Sequence, residues 1–500
     1  MSVGWRSKAW FWFHPAIRRV LHNEDRWHVE HTDALNALRA LPDDCIDSCV
    51  TDPPSGISFM SKAWDHDKGG RDQWVAWLTS IMREVCCVLK PGAHAFVWSL
   101  PRTSHWTGMA LEDAGFEIRD SFHHIFSTGF PKSKRLAEGV GNAAKPAHEV
   151  WWLARKPFDG TLERNYAAHG TGGLNIDACR VKHASDDDFK AHVAQVFALK
   201  AKGGSLGNSW KNSSDLSGAN EVNDAGRWPP NLLLSHHPDC ECLGMTEVAA
   251  NPTWDTPNRA TEPSQFTSSE VSKVRHATRA GEPSAERRYN EQGVTGFAAL
   301  PGERRDDMEA VEQWECVDGC PVAALRAQEG DARFFPQFQP DLDDIPPFLY
   351  QAKPSTSERD QGLEAFRVLS GGDATGRKDG SAGTQSPRAG AGRTGGRRNH
   401  HATVKSVELI RWLTRLITPP GGLIVDPFAG SGTGGIAALR DGYRWLGFEL
   451  NDDDEEPSVS VARARISWCE GREYIPRPSL RAKDSPAKLS LLGLFNKNLT

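Results

Sequence analysis

No stretch of the chain supplies the ~20 consecutive apolar residues that a membrane-spanning helix needs, which excludes that class. The start, MSVGWRSKAWFWFHPAIRRV, has basic and aromatic residues but no apolar core leading to a small-residue cleavage site, so a secretory leader is not expected. Cysteine is sparse, 10 in 500 residues, which rules out a disulfide scaffold and points to a reducing cytoplasm. A strong charge of one sign is also missing. Lys and Arg number 59 against 65 Asp and Glu, and the net charge of -6 neither demands nor forbids a nucleic-acid partner, because local charge decides that. There is no internal repeat.

What is present is an alternation of strand and helix patterns. WHVEHTDAL (27–35) and CIDSCVT (45–51) read as strands, and 73–89 carries apolar residues at helical spacing before a Lys-Pro-Gly stop. HAFVWSL (94–100) is strand-like, 103–114 helical, and 116–126 and 148–156 are further strands. The rhythm is lost between about 160 and 345, where Gly, Ser, Asn, Thr and Pro dominate. Residues 370–398 are Gly-rich and basic, and read either as a mobile connector or as a DNA-contacting arm. Order returns with an amphipathic helix at 403–418, strand GLIVDPF (422–428), a glycine turn, a helix, strand RWLGFEL (444–450) and a last helix. This alternation predicts an α/β domain with a mainly parallel sheet. The expected divisions are 22–160 and 399–470 as two halves of one domain, 161–347 as an insert, 348–398 as a connector and 471–500 as a tail.

Two motifs carry chemistry. Asp426-Pro427-Phe428-Ala429-Gly430-Ser431-Gly432-Thr433 follows an apolar strand and precedes a helix, where glycines let the backbone approach a ligand. It lacks the Gly-Lys-Ser/Thr ending of a phosphate loop and the full register of a dinucleotide fingerprint. Glu449 ends the next strand, where a carboxylate can take the hydroxyls of a ribose. The second motif, Thr51-Asp52-Pro53-Pro54-Ser55-Gly56, also ends a strand; alone it would be read as a turn.

Together the two motifs resemble the amino-group DNA methyltransferases that use S-adenosylmethionine (SAM), in the permuted beta-class order with the catalytic loop first. That family's catalytic loop reads Asp/Asn/Ser-Pro-Pro-Tyr, and its SAM turn reads Phe-x-Gly-x-Gly, matched here by Phe428, Gly430 and Gly432. Shorter pieces also resemble phage and bacterial members: SFMSKAWD (58–65), KPGAHAFVW (90–98), GFPKS (129–133), HGTGGLNIDACR (169–180), GRWPPNLLLSHHPDC (226–240), AKPSTSERDQGL (352–363) and NHHATVK (399–405). The resemblance implies a Rossmann-like methyltransferase sheet of seven strands, mixed, with one reversed strand at its edge, circularly permuted and carrying a large inserted recognition region. It implies SAM as methyl donor, with Asp426, Phe428, Gly430, Ser431, Gly432 and Glu449 around it. Asp33 falls where the family often places an acid against adenine, though it reads equally well as a helix N-cap. The family's His-Pro-Thr-x-Lys-Pro becomes His401-Ala402-Thr403-Val404-Lys405-Ser406, and His401, Thr403 and Lys405 are expected near the methionine end of SAM.

The implied reaction is methyl transfer to the exocyclic amine of adenine (N6) or cytosine (N4) in double-stranded DNA, with adenine favoured. Asp52 and the Pro53 carbonyl would hold the amine hydrogens. Pro53 and Pro54 stiffen the loop and remove donors. The base must leave the stack. C5 methylation would use a Cys after Pro, and the only Pro neighbour of a Cys is Pro321, which follows Cys320. Ser55 stands where the family's stacking Tyr belongs, a loss of ~1–3 kcal/mol per base. Phe59, Trp64 and Trp98 are candidate substitutes. The same departure opens an alternative, a catalytically silent DNA-binding protein on this scaffold. Transfer to a protein amide is a third reading, disfavoured by the large insert and by Asp in place of Asn.

His236 and Cys240, with Cys316 and Cys320, match the composition of a four-ligand structural zinc site. Buried cysteines without metal are the competing reading. Lys132, Lys134, Arg135, Lys145, Arg155 and Lys156, and separately Arg393, Arg397 and Arg398, are candidate phosphate contacts. No nuclease motif is evident, so a solitary modification enzyme in the cytoplasm of a bacterial host, phage-borne or chromosomal, is expected rather than a fused restriction system.

Overall fold

The computed structural model describes residues 15–58, 63–126, 135–138, 140–142, 144, 146–181, 228–235, 240–249, 308–317, 320, 322–323, 337–338, 356–369, 397–399, 401, 403–454 and 456–482. They divide into two compact units, Met1–Cys179 with Pro229–Cys240 and Cys316–Thr500, and Arg180–Trp228 with Glu241–Glu315.

The first unit opens with helix α1 (Pro15–Leu21), strand β1 (Trp27–His31), helix α2 (Ala34–Ala40), strand β2 (Ile46–Thr51), helix α3 (Arg71–Val88), strand β3 (Leu89–Ser99), helix α4 (Ser104–Asp113) and strand β4 (Glu117–Ile125). A small ribbon of β5 (Arg135–Ala137) and β6 (Val140–Gly141) precedes β7 (His148–Arg155), helix α5 (Leu162–His169) and strand β8 (Leu232–Ser235). Described residues of the second unit form an antiparallel pair, β9 (Glu241–Ala249) and β10 (Met308–Glu315). The first unit resumes with β11 (Gln337–Phe338), α6 (Thr356–Asp360), α7 (Val407–Ile417), β12 (Leu423–Asp426), α8 (Thr433–Arg440), β13 (Arg444–Glu449) and α9 (Ser458–Cys469).

Nine of these strands make one sheet in the order β1-β13-β12-β2-β3-β7-β4-β8-β11. All are parallel except β7, which runs against both β3 and β4. The seven expected strands are therefore present, and β8 and β11 extend the sheet past β4. The reversed strand is not at the edge, as the sequence reading had it, but between β3 and β4. A Rossmann-like mixed sheet results, its seven expected strands drawn from the first and last thirds of the chain, with β8 and β11 added beyond β4.

The sheet forms because its strands are written for two covered faces. Every residue of β2 and β12 is buried, so they read as continuous runs rather than as an apolar–polar alternation. Period-two geometry then sorts the side chains. Cys49, Ala95, Val97, Val425 and Phe448 pack with Leu38, Trp74, Leu78 and Val85 of α2 and α3. Val50, Phe96, Trp98, Ile424 and Trp445 pack on the other face, toward α7, α8 and α9. The polar exceptions are satisfied: Asp47 accepts from Lys90 Nζ at 2.6 Å and from Leu423 N at 2.7 Å, and Ser48 Oγ meets Thr418 Oγ1 at 2.8 Å. Helix α7 buries Leu409, Trp412, Leu413 and Leu416 among others, and each such side chain removed from water contributes about 1.5–3 kcal/mol. Its first amide, Val407 N, is capped from afar by Glu358 Oε1 at 2.8 Å, and Pro419 and Pro420 prevent its continuation.

The connections position the site. From β12 the chain passes through α8 to β13 on one side; from β2 it passes through α3 to β3 on the other. Between β12 and β2 the winding reverses direction, and in such sheets the crevice for a ligand opens there, at the carboxyl ends of the strands.

Candidate active site

Four neighbouring strands deliver acids to that crevice. In sheet order, Asp33 follows β1, Glu449 ends β13, Asp426 ends β12 and Asp52 follows β2. They line one cleft of about 220 Å³. Pro53, Pro54, Ser55, His401, Thr403, Lys405, Phe428, Gly430 and Ser431 line it too. Gly432 is the exception among the expected residues. It adopts φ +77° at the start of α8, and a side chain there would meet Ala462 of α9 at 3.0 Å, so its role is close helix packing. Gly430 does face the cleft: a Cβ would lie 3.1 Å from His401 Nε2.

The two motifs are joined directly. Thr51 Oγ1 donates to Asp426 Oδ1 at 2.7 Å, across 375 residues of sequence. Asp426 also accepts from Phe428 N at 3.1 Å. Burial nevertheless pushes its carboxyl up to about 7, only partly opposed by those two bonds. Glu449 accepts from the backbone amides of Gly430, Leu450 and Asn451 at 2.8, 3.0 and 3.0 Å, and burial pushes it up to about 7 as well. Asp33 is the N-cap of α2, accepting from Asn36 N at 3.1 Å, and lines the cleft in that same position.

Asp52 is held by Lys405, whose Nζ lies 2.6 Å from Oδ2 and 3.9 Å from the Trp98 ring centroid. Burial raises the Asp52 carboxyl to about 6, and Lys405 opposes the rise. Glu149 of β7 shares the field of this lysine. Burial works against its charge, but Lys405, His124 and Trp98 hold it down at about 2. Lys405 is thus a half-buried cation balanced between two acids.

Ser55 does not stack on anything. Its hydroxyl lies 3.0 Å from each carboxylate oxygen of Asp65, which also accepts from Gly56 N at 3.0 Å, and Thr103 Oγ1 donates to the Ser55 carbonyl at 3.0 Å. The residue serves to anchor the loop. Of the candidate stacking residues, Trp64 lies over His401 at 5.9 Å and 17° and lines the cleft, Trp98 lies under Lys405, and Phe59 falls outside the described residues.

Sequence reasoning did not single out Asp65, Glu149 or Arg465. Asp65 lay within a quoted motif, and a glutamate inside the apolar strand HEVWWLAR was a visible anomaly. Arg465, wholly buried in α9, donates to the Ser431 carbonyl at 2.8 Å, to Ser431 Oγ at 3.1 Å and to Thr433 Oγ1 at 3.2 Å, fixing the glycine turn. Arg359 likewise fixes His401 through its carbonyl at 2.7 Å.

The candidate phosphate contacts fare differently. Arg155 is paired with Glu117 at 2.6 Å, and Lys156 with Asp44 at 2.7 Å and with the carbonyls of Cys87 and Leu89, so both are structural. Arg397 and Arg398 are half-buried, their backbones bonded to Leu369 and to Asp360. Lys132, Lys134, Lys145 and Arg393 lie outside the described residues, as does the side chain of Arg135. Cys240, Cys316 and Cys320 come together, with Sγ atoms within 4.8 Å of one another. His236 lies outside the described residues.

The sequence profile of the DNA methylase family of N6 and N4 methyltransferases matches residues 46–457, from β2 through β13. The chain belongs to this DNA methylase family. Its sheet is the SAM-dependent methyltransferase fold with an inserted region, in permuted order. Among curated proteins, YubD of Escherichia coli (strain K12), named as a methylase, is 45% identical over 51 residues, 10% of this chain and 22% of that protein. The DNA adenine methyltransferase YhdJ of the same organism is 27% identical over 100 residues, 20% of this chain and 33% of that protein. The aligned segments thus span a third or less of these relatives. Among solved structures, the PvuII DNA methyltransferase (cytosine-N4-specific) covers 88% of this chain and 86% of its own, at 13% identity and TM-score 0.38. No helix among the described residues is long and apolar enough to cross a membrane.

Proposed function

We propose that this chain transfers a methyl group from SAM to the exocyclic amine of a base in double-stranded DNA, with adenine N6 the favoured target over cytosine N4. The observation that carries the proposal is the bond between Thr51 and Asp426, which ties the Asp52 loop to the acid-lined glycine turn in one cleft. Glu449, Asp426 and Asp33 suit the nucleoside and cationic parts of SAM: they are acids in a cleft among few cations, and Glu449 and Asp426 are reluctant to ionise without a partner. The chain's Gly430 leaves space beside His401, and Ser431, Thr403 and Phe428 complete that wall. When bound, SAM supplies an electrophilic sulfonium methyl.

An exocyclic amine is a poor nucleophile because its lone pair is delocalised into the ring. Asp52 Oδ1 and the Pro53 carbonyl accept its two hydrogens and bias the nitrogen toward a pyramidal shape. Lys405 occupies Oδ2 and keeps Asp52 charged despite burial. Attack forms the N–C bond as the S–C bond breaks, and Asp52 takes the proton that the alkylated amine must lose. Holding both reactants in attack geometry is worth ~7–11 kcal/mol. The amine is inaccessible within a duplex, so the base is flipped into the cleft. Trp64, stacked over His401 in the wall of the cleft, is the described aromatic best placed to receive it in the absence of a tyrosine at 55.

The name of YhdJ is in keeping with an adenine target, as is the aspartate that opens the loop. Incubation of duplex DNA with methyl-labelled SAM, followed by nucleoside digestion and chromatography, tests the proposal. Label in N6-methyladenine supports it and label in N4-methylcytosine retains the chemistry with the other base. An unlabelled digest favours the silent DNA-binding reading that Ser55 raised.

A further inference from the structure

The cysteine cluster is not used by methyl transfer and lies apart from the residues that line the cleft. Its three members come from two distant stretches. Cys240 stands immediately before β9, and Cys316 immediately after β10. Strands β9 and β10 pair from Glu241 with Glu315 to Ala249 with Met308, and Cys240 and Cys316 are the residues just outside the Glu241–Glu315 pair, at the open end of that ladder. A turn, with Cys320 N donating to the Val317 carbonyl at 3.2 Å, brings the third thiol back beside the other two. Cys240 and Cys320 are buried and Cys316 half-buried.

The strand pairing places Cys240 beside Cys316, and the turn adds Cys320, so three thiols share one small volume. Tetrahedral thiolates held at about 2.3 Å from zinc stand about 3.8 Å apart. Sulfur atoms that already lie within 4.8 Å of one another need only small rotamer adjustments to reach that spacing. A sulfur-rich set that is largely shielded from water suits a soft, redox-inert cation better than magnesium or calcium, which take oxygen.

We propose that Cys240, Cys316 and Cys320 bind one zinc ion, as a structural site that clips together the points where the chain leaves at 240 and returns at 316. The clip would fasten the open end of a 241–315 segment whose composition offers little core of its own. Three thiolates leave one tetrahedral position, for which the sequence offers His236 and His237.

Untagged full-length protein, desalted without chelator, should carry about one zinc per chain by elemental mass spectrometry, and Cys316→Ser or Cys320→Ser should hold less than about a tenth of that. Cys469→Ser, outside the cluster, should keep it. His236→Ala and His237→Ala are compared, and zinc loss in one names the fourth ligand; retention by both gives that position to another donor and leaves the thiolate set standing. Because a cysteine variant can fail by misfolding, wild-type protein stripped by a chelator is also titrated with cobalt(II). Sulfur-to-cobalt charge transfer with intense visible bands, displaced by zinc, supports a tetrahedral thiolate site. Wild-type protein without stoichiometric metal, an iron–sulfur spectrum, serine variants that keep full zinc, or cobalt bands without sulfur charge transfer would each overturn the proposal. None of these readouts depends on methyl transfer, so the zinc site and the methylation reading stand or fall separately.

Discussion

Lowering the pH should weaken donor binding through Glu449. Burial sets this carboxyl at about 7 in the free protein, against the opposing pull of three backbone amides. A ribose hydroxyl donating to Glu449, or the cationic charge of SAM beside it, favours the ionised form, so binding drives a proton off. One unit below its pKa only about a tenth of such a group is ionised, so affinity at pH about 6 should be about tenfold lower than at pH about 8, or ~1.4 kcal/mol. Asp426, also at about 7, adds to this if it too must ionise. The sign for stability is opposite to that of an ordinary paired acid. A raised folded pKa stabilises fully below the unfolded value, and that stabilisation is lost as pH rises through the folded value. The donor-free protein should therefore lose thermal stability between about pH 4 and pH 7 from these groups, and saturating SAM should restore it. Isothermal titration with S-adenosylhomocysteine and with SAM, in buffers of different ionisation enthalpy, counts the released protons. Glu449→Gln should weaken binding and flatten the profile. An affinity that is level across this range, with no proton released by wild-type protein, refutes the reasoning.

Other outcomes follow from the same geometry. Lys405→Met removes the main force opposing the upward drift of Asp52, so the acid limb of the methylation rate should move up by about one unit or more, with a smaller change in the KM for SAM. Trp64→Ala, alone or with Phe59→Ala, should weaken binding of DNA carrying a mismatched or abasic partner at the target by ~1–3 kcal/mol; if both changes leave methylation and binding untouched, neither residue replaces the missing tyrosine. Gly432→Ala combines a left-handed backbone with a contact at 3.0 Å to Ala462, and should lower stability by about 1–3 kcal/mol in thermal unfolding.

Much of this arrangement was legible because the acids sit at strand ends and the strands announce themselves. CIDSCVT and GLIVDPF are apolar over a strand's length and are followed by turn residues, so Asp52 and Asp426 could be placed before any fold was known. Their proximity was implied only by the family resemblance, since nothing local couples Thr51 to Asp426, 375 residues away. Strand direction leaves no periodic trace, so the reversed strand, expected at the edge from the resemblance alone, was not identified with β7, which lies inside the sheet. Strands β8 and β11, four and two residues long, are too short for a pattern to register. The loop's anchor, Asp65, and the lysine's second acid, Glu149, are side-chain partners chosen by the tertiary fold. Likewise, the pairing of Arg155 with Glu117 turned a presumed phosphate contact into a cross-strand ion pair.

The central claim is that Asp52 acts on the acceptor while a separate set of acids holds the donor. The direct measurement is single-turnover methyl transfer to duplex DNA by Asp52→Ala, with SAM affinity determined on the same protein. The predicted result is donor affinity close to wild type and a rate lower by about 10²–10³ or more. Transfer at the wild-type rate, or donor binding lost together with transfer, would contradict it.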